Sequence, residues 1–491
     1  MRSPRYLYRA SIFIFSLKIG VFGLLLWTFS TELIAESYAA YTFDDFAAQN
    51  DWGRVKVTTK TRTDAFSKDY APGFYSFYQI FTGGNFRSQK GGTDKDEAGK
   101  YTFSGSGNSE VNLIYKSGIQ TVSFSLGPRL QSRESRVYDR ERTSVWDAEG
   151  IVSYAMNLHP LKLSLEGGRG WQRLDGFGFL FNGMANFGQF QIKSNESLSI
   201  SIQSLNFKPD EESLKPSAWN HKRKELVGIA LRSQEILFWE NLQFYFYRYD
   251  EPNIAKQSSN FESTNQYGSF SYTGLEFRSM KFWNEANIDL AIIRVIGERK
   301  IKSAPWTENS IATNATLAYT AIHGLYSNFF WSIGGLYTSK DNTNRTDSNS
   351  NGFAAPLAEP RVLGGYSSFL LYQSVYFPND RIFYEFSEKG KPGFENKGMR
   401  MFGLQWGMNL FTNLRGDLYL NRSSSEMGNG TEFILKLTQK FENSLNGFTS
   451  ASFCYAKVDS NQKITYISEP FSELEKQKEF IRVYISAGFQ F

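Results

Sequence analysis

The sequence predicts an all-β protein, a transmembrane antiparallel up-and-down barrel of about 18–20 strands with long connections at one end and short turns at the other. Three observations carry this expectation. The chain ends in a strand of unbroken alternation, short runs of the same period recur along the chain, and the connections between them alternate in length.

In the last strand Phe491, Phe489, Ala487, Ile485, Val483 and Ile481 share one face, while Gln490, Gly488, Ser486, Tyr484 and Arg482 share the other. Successive strand side chains point to opposite faces, so one face is apolar and the other polar. The pattern returns at Phe433, Leu435 and Leu437, at Phe402 through Leu410, at Leu242, Phe244 and Phe246, at Leu198, Ile200 and Ile202, and at Val122, Phe124 and Leu126. One such run says little. Recurrence through the chain is the signature of a sheet with two chemically distinct faces.

The connections keep a rhythm. Short ones fall at 116–118, 157–160, 194–196, 323–324, 377–380 and 412–413; long polar ones begin at Gly83, Lys208, Ser339 and Asp459. Membrane barrels have short periplasmic turns and longer extracellular loops. A large soluble antiparallel sheet would not need to keep this phase. Counting hairpins from Gly73 gives about 20 strands, and Arg54–Thr63 would make one more than an even-numbered barrel allows. Residues 54–83 and 361–390 are where the count is least defined.

Arg2, Arg5, Arg9 and Lys18 precede the apolar run Ile19–Phe29, and Ser37-Tyr38-Ala39 follows as a small-x-small pattern. This reads as a signal peptide over residues 1–39, with one barrel domain over 40–491. The alternative is a membrane anchor, but the run is shorter than the ~18 apolar residues a spanning helix needs. Ala40–Arg54 is too short to fold as a separate plug domain.

Composition fits. The chain has 491 residues, and aromatic residues make up 16% of it. Mean hydropathy is −0.41, and no long apolar run follows the N-terminal one, which excludes a helical membrane protein. Removing residues 1–39 takes four basic and two acidic residues from 54 and 49, leaving 50 against 47. That balance gives no reason to expect a nucleic-acid partner.

No cofactor, metal or catalytic constellation is expected. The single cysteine, Cys454, reads as a small side chain in a packed strand. His159, His221 and His323 are far apart, and His159 and His323 are expected at turns. An outer-membrane phospholipase or protease would need a Ser or Asp beside a His at the outer rim, and only His221 is placed for it, so no enzyme is expected.

The C-terminal strand, ending on an aromatic residue, resembles the assembly signal of Gram-negative outer-membrane β-barrels. The resemblance implies the cell outer membrane as location, its lipid bilayer and the barrel-assembly machinery as partners, and Phe491, Phe489 and Tyr484 as the signal residues. Side chains opposite the lipid face then line a lumen. The basic set there is Arg54, Lys56, Lys60, Arg62, Arg129, Arg133, Lys162, Arg232, Arg415, Lys436, Lys440 and Arg482, against Glu166, Asp289, Asp417 and Glu432. Charges in a pore act at close range, so the expectation is a channel for passive diffusion or export of small or anionic solutes. The competing reading is that these charges pair across strands, as Arg415 and Asp417 could with Glu432 and Lys436, and stiffen the wall. Length and a basic lumen resemble alginate-export-type barrels, which pass an acidic polysaccharide. General diffusion porins instead fold a loop into the lumen, a part open to Gly83–Lys100 or Ser339–Pro360. The other function class is a surface-exposed ligand-binding or adhesin barrel without transport.

Overall fold

The computed structural model describes residues 72–90, 100–136, 140–194, 198–207, 224–236, 239–251, 266–283, 286–304, 307–326, 328–340, 349–358, 360–371, 397–411, 413–425, 428–441, 446–459 and 479–490. Residues 1–39, Arg54, Lys56, Lys60, Arg62, the Arg54–Thr63 segment, His221, the turn at 377–380 and Phe491 lie outside them.

The strands are β1 (Gly73–Lys90), β2 (Lys100–Ser117), β3 (Gln120–Arg136), β4 (Arg140–Leu158), β5 (Leu161–Arg173), β6 (Asn182–Ser194), β7 (Leu198–Phe207), β8 (Lys224–Ile236), β9 (Trp239–Glu251) and β10 (Gln266–Trp283). They continue with β11 (Ala286–Ala304), β12 (Thr307–Tyr326), β13 (Phe329–Lys340), β14 (Asn349–Ser350), β15 (Lys397–Phe411), β16 (Leu414–Ser425), β17 (Gly428–Phe441), β18 (Asn446–Asp459) and β19 (Glu479–Gln490). All belong to one sheet of 19 strands. Each wall strand pairs antiparallel with its neighbours in sequence, and β13 pairs with β15. The first strand pairs with the last over ten residues, from Phe81↔Gln490 to Lys90↔Ile481, so the sheet closes on itself. Among the described residues only the two-residue β14 stands off the wall, adding parallel to Ala312 and Thr313 of β12. Nineteen less that one leaves an even wall of eighteen among the described residues. Residues 361–371, where the strand count was least defined, hold no strand but a 3₁₀ turn at Gly365–Ser367.

The alternation read from the sequence sets the two faces. Phe124, Val152, Ile202, Ile229, Phe246, Phe402 and Ile485 point outward and are exposed. Their strand neighbours Ser123, Ser153, Gln203, Ala230, Tyr247, Met401 and Ser486 are buried on the inner face. Exposed aromatics pair in register where strands meet the short turns: Phe74 with Tyr115 across β1 and β2, and Tyr326 with Phe329 across β12 and β13. This is the apolar band and interfacial girdle of a membrane barrel.

Two details differ from the expectation. The β12–β13 turn falls after Tyr326, so His323 lies within β12, buried, with Nε2 3.3 Å from Asp289 Oδ1. The rhythm of the loops is also looser, since the β11–β12 and β16–β17 connections on the long-loop side span only two residues each. Strand pairing tolerates a tight turn at either end, so loop length follows local sequence rather than orientation alone.

An arginine at Ile229, on the outer face of β8, should cost about 2–4 kcal/mol if that face meets lipid. Arg248→Ala, at the exposed polar end of β9, should stay within about 0.5 kcal/mol. Urea titration of vesicle-inserted protein measures both; an Ile229→Arg loss below about 1 kcal/mol would contradict the assignment of faces.

Candidate constriction inside the barrel

Strands β5 and β6 are joined by residues 174–181, which turn into the barrel. Leu174, Phe177, Phe179, Leu180 and Phe181 are all buried there. Asp175 organises the turn: its carboxylate accepts the backbone N–H groups of Phe179 (2.5 Å), Leu180 (2.9 Å) and Phe181 (3.1 Å). A short acidic side chain bonding to nearby backbone offers the chain an alternative to a strand ladder. The wall then holds the turn. Glu276 of β10 accepts Gly176 N–H at 2.7 Å and the Tyr245 hydroxyl at 3.1 Å, and Gln243 Nε2 of β9 donates to Leu174 O at 2.6 Å. Phe177 meets the Tyr319 ring of β12 at 5.1 Å, and Phe181 lies edge-on to Phe207 of β7 at 4.7 Å. A Cβ on Gly176 would lie 2.5 Å from Arg278 Cδ, so a larger residue here would displace the Arg278 side chain.

Burying those five large side chains contributes about 8–15 kcal/mol at about 1.5–3 each. Ordering eight backbone residues costs about 8–16 kcal/mol at about 1–2 each. The terms nearly cancel, so the hydrogen bonds to Asp175, Glu276 and Gln243 decide whether the segment stays inside.

Residues 351–371 form a second, longer strap. It leaves the β13 side with Phe353 N–H on Ser339 O (3.1 Å) and receives the Tyr272 hydroxyl of β10 on Ala354 O (2.8 Å). It then lies along the first segment. Leu357 N–H donates to Leu180 O (3.2 Å), Asn182 N–H to Leu357 O (3.0 Å) and Arg361 N–H to Phe177 O (3.1 Å). Around Gly364, whose φ of 93° suits glycine, the strap reaches the far wall. Asn421 Nδ2 of β16 donates to Leu363 O at 2.9 Å, and Ser452 Oγ of β18 bonds Ser367 Oγ at 2.8 Å. Glu432 of β17 accepts Ser368 Oγ (2.5 Å), Phe369 N–H (2.7 Å), Leu370 N–H (2.9 Å) and Asn421 Nδ2 (2.7 Å). Arg482 Nη1 of β19 donates to Ser368 O at 2.6 Å, and its guanidinium lies 5.1 Å from the centre of the Phe369 ring. From β10 to β17–β19 is six to eight steps in a ring of eighteen strands, so the strap crosses the lumen rather than hugging one wall.

The residues expected to line a lumen are distributed as follows. Arg232, Arg415, Lys436 and Arg482 lie on the inner face, and Lys162 is half-buried at an inward position of β5. Arg129, Arg133 and Lys440 occupy inward-parity positions of β3 and β17. Several basic groups are engaged. Arg232 Nη2 reaches Leu174 O at 3.5 Å, and Arg415 places Nε and Nη2 2.9 and 2.7 Å from Asp417 Oδ1. Lys436 stands opposite Asp417 in register. Glu432 takes the strap rather than Arg415. Tyr484 is buried on the inner face beside Arg482. Of the two stretches suggested for an inward loop, Gly83–Lys90 is part of β1, whereas Ser339–Pro360 includes the start of the strap. Sequence reading missed Asp175, Glu276 and the 174–181 segment. The available signal was Phe177, Phe179, Leu180 and Phe181, a load of large apolar side chains on the loop side of the barrel.

Asp175→Ala would leave three buried N–H groups without their acceptor, at about 1–3 kcal/mol each. The denaturant midpoint should fall accordingly, with Asp175→Asn losing less. A loss under about 1 kcal/mol would show that the carboxylate does not organise the segment.

No protein-family model matches this chain, and no curated protein matches it. Solved structures do. Pseudomonas aeruginosa OpdQ aligns at TM-score 0.50 with 10% identity, over 85% of this chain and 97% of that one. Acinetobacter baumannii OccAB3 aligns at TM-score 0.50 with 10% identity, over 85% of this chain and 99% of that one. At such identity the likeness is one of fold. The chain folds as a closed antiparallel β-barrel similar to these two, with two segments turned into its interior.

Proposed function

We propose that this protein is an outer-membrane channel through which small solutes diffuse passively, with its constriction formed by residues 174–181 and 351–371. The observation that carries the reading is the closed wall, apolar outside, with two segments held inside it by carboxylates of the barrel itself. A barrel of this strand number is wide enough for an aqueous path, and inward segments narrow such a path to small-molecule size. They favour a small solute over a polymer such as an acidic polysaccharide, which needs a continuous wide passage. The reading calls for no cofactor and no catalytic residue.

Anion preference is the finer part of this proposal. Its support is the basic set read from alternation: Arg54, Lys56, Lys60, Arg62, Arg129, Arg133, Lys162, Arg232, Arg415, Lys436, Lys440 and Arg482. On the described inner face, Asp417 and Glu432 offset Arg415 and Arg482, and Asp289 and Glu166 add negative charge. The preference should therefore be modest.

Purified full-length protein in a planar bilayer should give discrete conductance steps in KCl, with a reversal potential displaced toward the chloride equilibrium potential in a salt gradient. A cation-side reversal potential would remove the anion reading. A folded, inserted barrel with no conductance would remove the channel and favour a surface-binding barrel.

A further inference from the structure

The two inward segments are held differently. Residues 174–181 are eight residues fixed at both ends by β5 and β6 and braced internally by Asp175. The strap belongs to a connection of 56 residues between Lys340 and Lys397. So long a connection places little restraint on its middle, and its position depends on its tethers. At the β17 wall those tethers converge on one side chain. Glu432 is 1% exposed and accepts from three groups of consecutive strap residues, Ser368 Oγ, Phe369 N–H and Leu370 N–H. A carboxylate bonded to several donors makes stronger hydrogen bonds than a neutral acceptor. Ser368 Oγ also receives Leu371 N–H at 3.0 Å, so the hydroxyl passes the restraint along the strap. Arg482, itself 1% exposed, holds Ser368 O from the next wall strand but one.

We propose that Glu432 is the positioning residue of the constriction: it latches the strap tip, Ser368–Leu370, to the β17 wall and so sets the bore. This rests on the channel reading above. Loss of the latch lets the tip leave the wall without unfolding the barrel, because the wall strands keep their own ladder hydrogen bonds on both sides of Glu432. It also releases Arg482 from the strap carbonyl, exposing a cation to the passage.

The test compares wild type, Glu432→Gln on the wall and Ser368→Ala on the strap, all full-length and inserted in planar bilayers in KCl. Ser368→Ala leaves the wall sequence intact, so it reports even if a Glu432 variant does not fold. Single-channel conductance should rise by about twofold in E432Q and by less in S368A, with the reversal potential moving further toward anions. A cross-link separates position from charge. Ser367 and Ser452 place their hydroxyls 2.8 Å apart, so the S367C/S452C pair should form a disulfide that pins the strap tip. Cys454, whose Sγ donates to Glu432 Oε2 at 3.6 Å, is replaced by Ser in every channel of this comparison, the Glu432 and Ser368 references included, so that this contact is the same throughout. In wild-type background it should form readily and change conductance little. In E432Q and S368A it should form several-fold more slowly, and once formed it should return conductance to the wild-type value.

Wild-type conductance and cross-linking rate in both variants would overturn the proposal. So would an enlarged conductance that the disulfide fails to reverse, which would assign the change to charge alone. A wild-type protein that inserts but carries no current fails the channel reading instead; there, slowed cross-linking in the variants would still support the latch, and unchanged cross-linking would remove it.

Discussion

Backbone N–H groups that turn into the barrel must find acceptors there, and this protein supplies them with buried carboxylates. Asp175 and Glu276 hold residues 174–181, and Glu432 holds residues 368–370. An unpaired buried N–H costs about as much as one large apolar side chain gains on burial. The inward segments therefore could not persist on their apolar contacts alone. Each wall carboxylate in turn would be untenable without several donors. Segment and wall are mutually required.

This dependence explains why the barrel interior carries an apolar cluster and polar anchors together. Phe179, Phe181, Phe353, Phe369 and Leu370 fill space against Tyr245, Tyr247, Tyr319 and Phe480. Phe369 stacks on Phe480 at 4.3 Å while the Arg482 guanidinium covers its ring. The aromatic residues supply volume, and the carboxylates and Arg482 fix orientation. A lumen lined only by apolar groups would collapse onto any loop that entered it. The point anchors select one arrangement, in which the strap runs from the β10 side to the β17–β19 side.

The same anchors change how inner-face charge acts. Arg232 and Arg482 donate to segment carbonyls, and Arg415 faces Asp417 beneath the Phe330 ring. Their first role is structural. The pairing open from sequence was across strands, Arg415 and Asp417 with Glu432 and Lys436; instead Arg415 meets Asp417 on its own strand, and Glu432 bonds a strap whose residues lie more than 60 positions away.

Local periodicity by itself determined the barrel. Alternation of period two requires no knowledge of distant partners, so Ile481, Phe433 and Val122 announced the outer face and Arg482, Lys436 and Thr121 the inner one. The turn at His159 was read from the proline that follows it, and Cys454 was expected in a packed strand, where it lies buried. Register moved His323 off its expected turn, since β12 pairs with β13 for one more stretch. The interior was decided only in three dimensions. Phe177–Phe181 and Phe369–Leu371 carry no periodic signature of where they go; Asp175 bonds within its own turn, but Glu276 and Glu432 look like any strand acid until folding brings residues 62 to 100 positions away within hydrogen-bond distance.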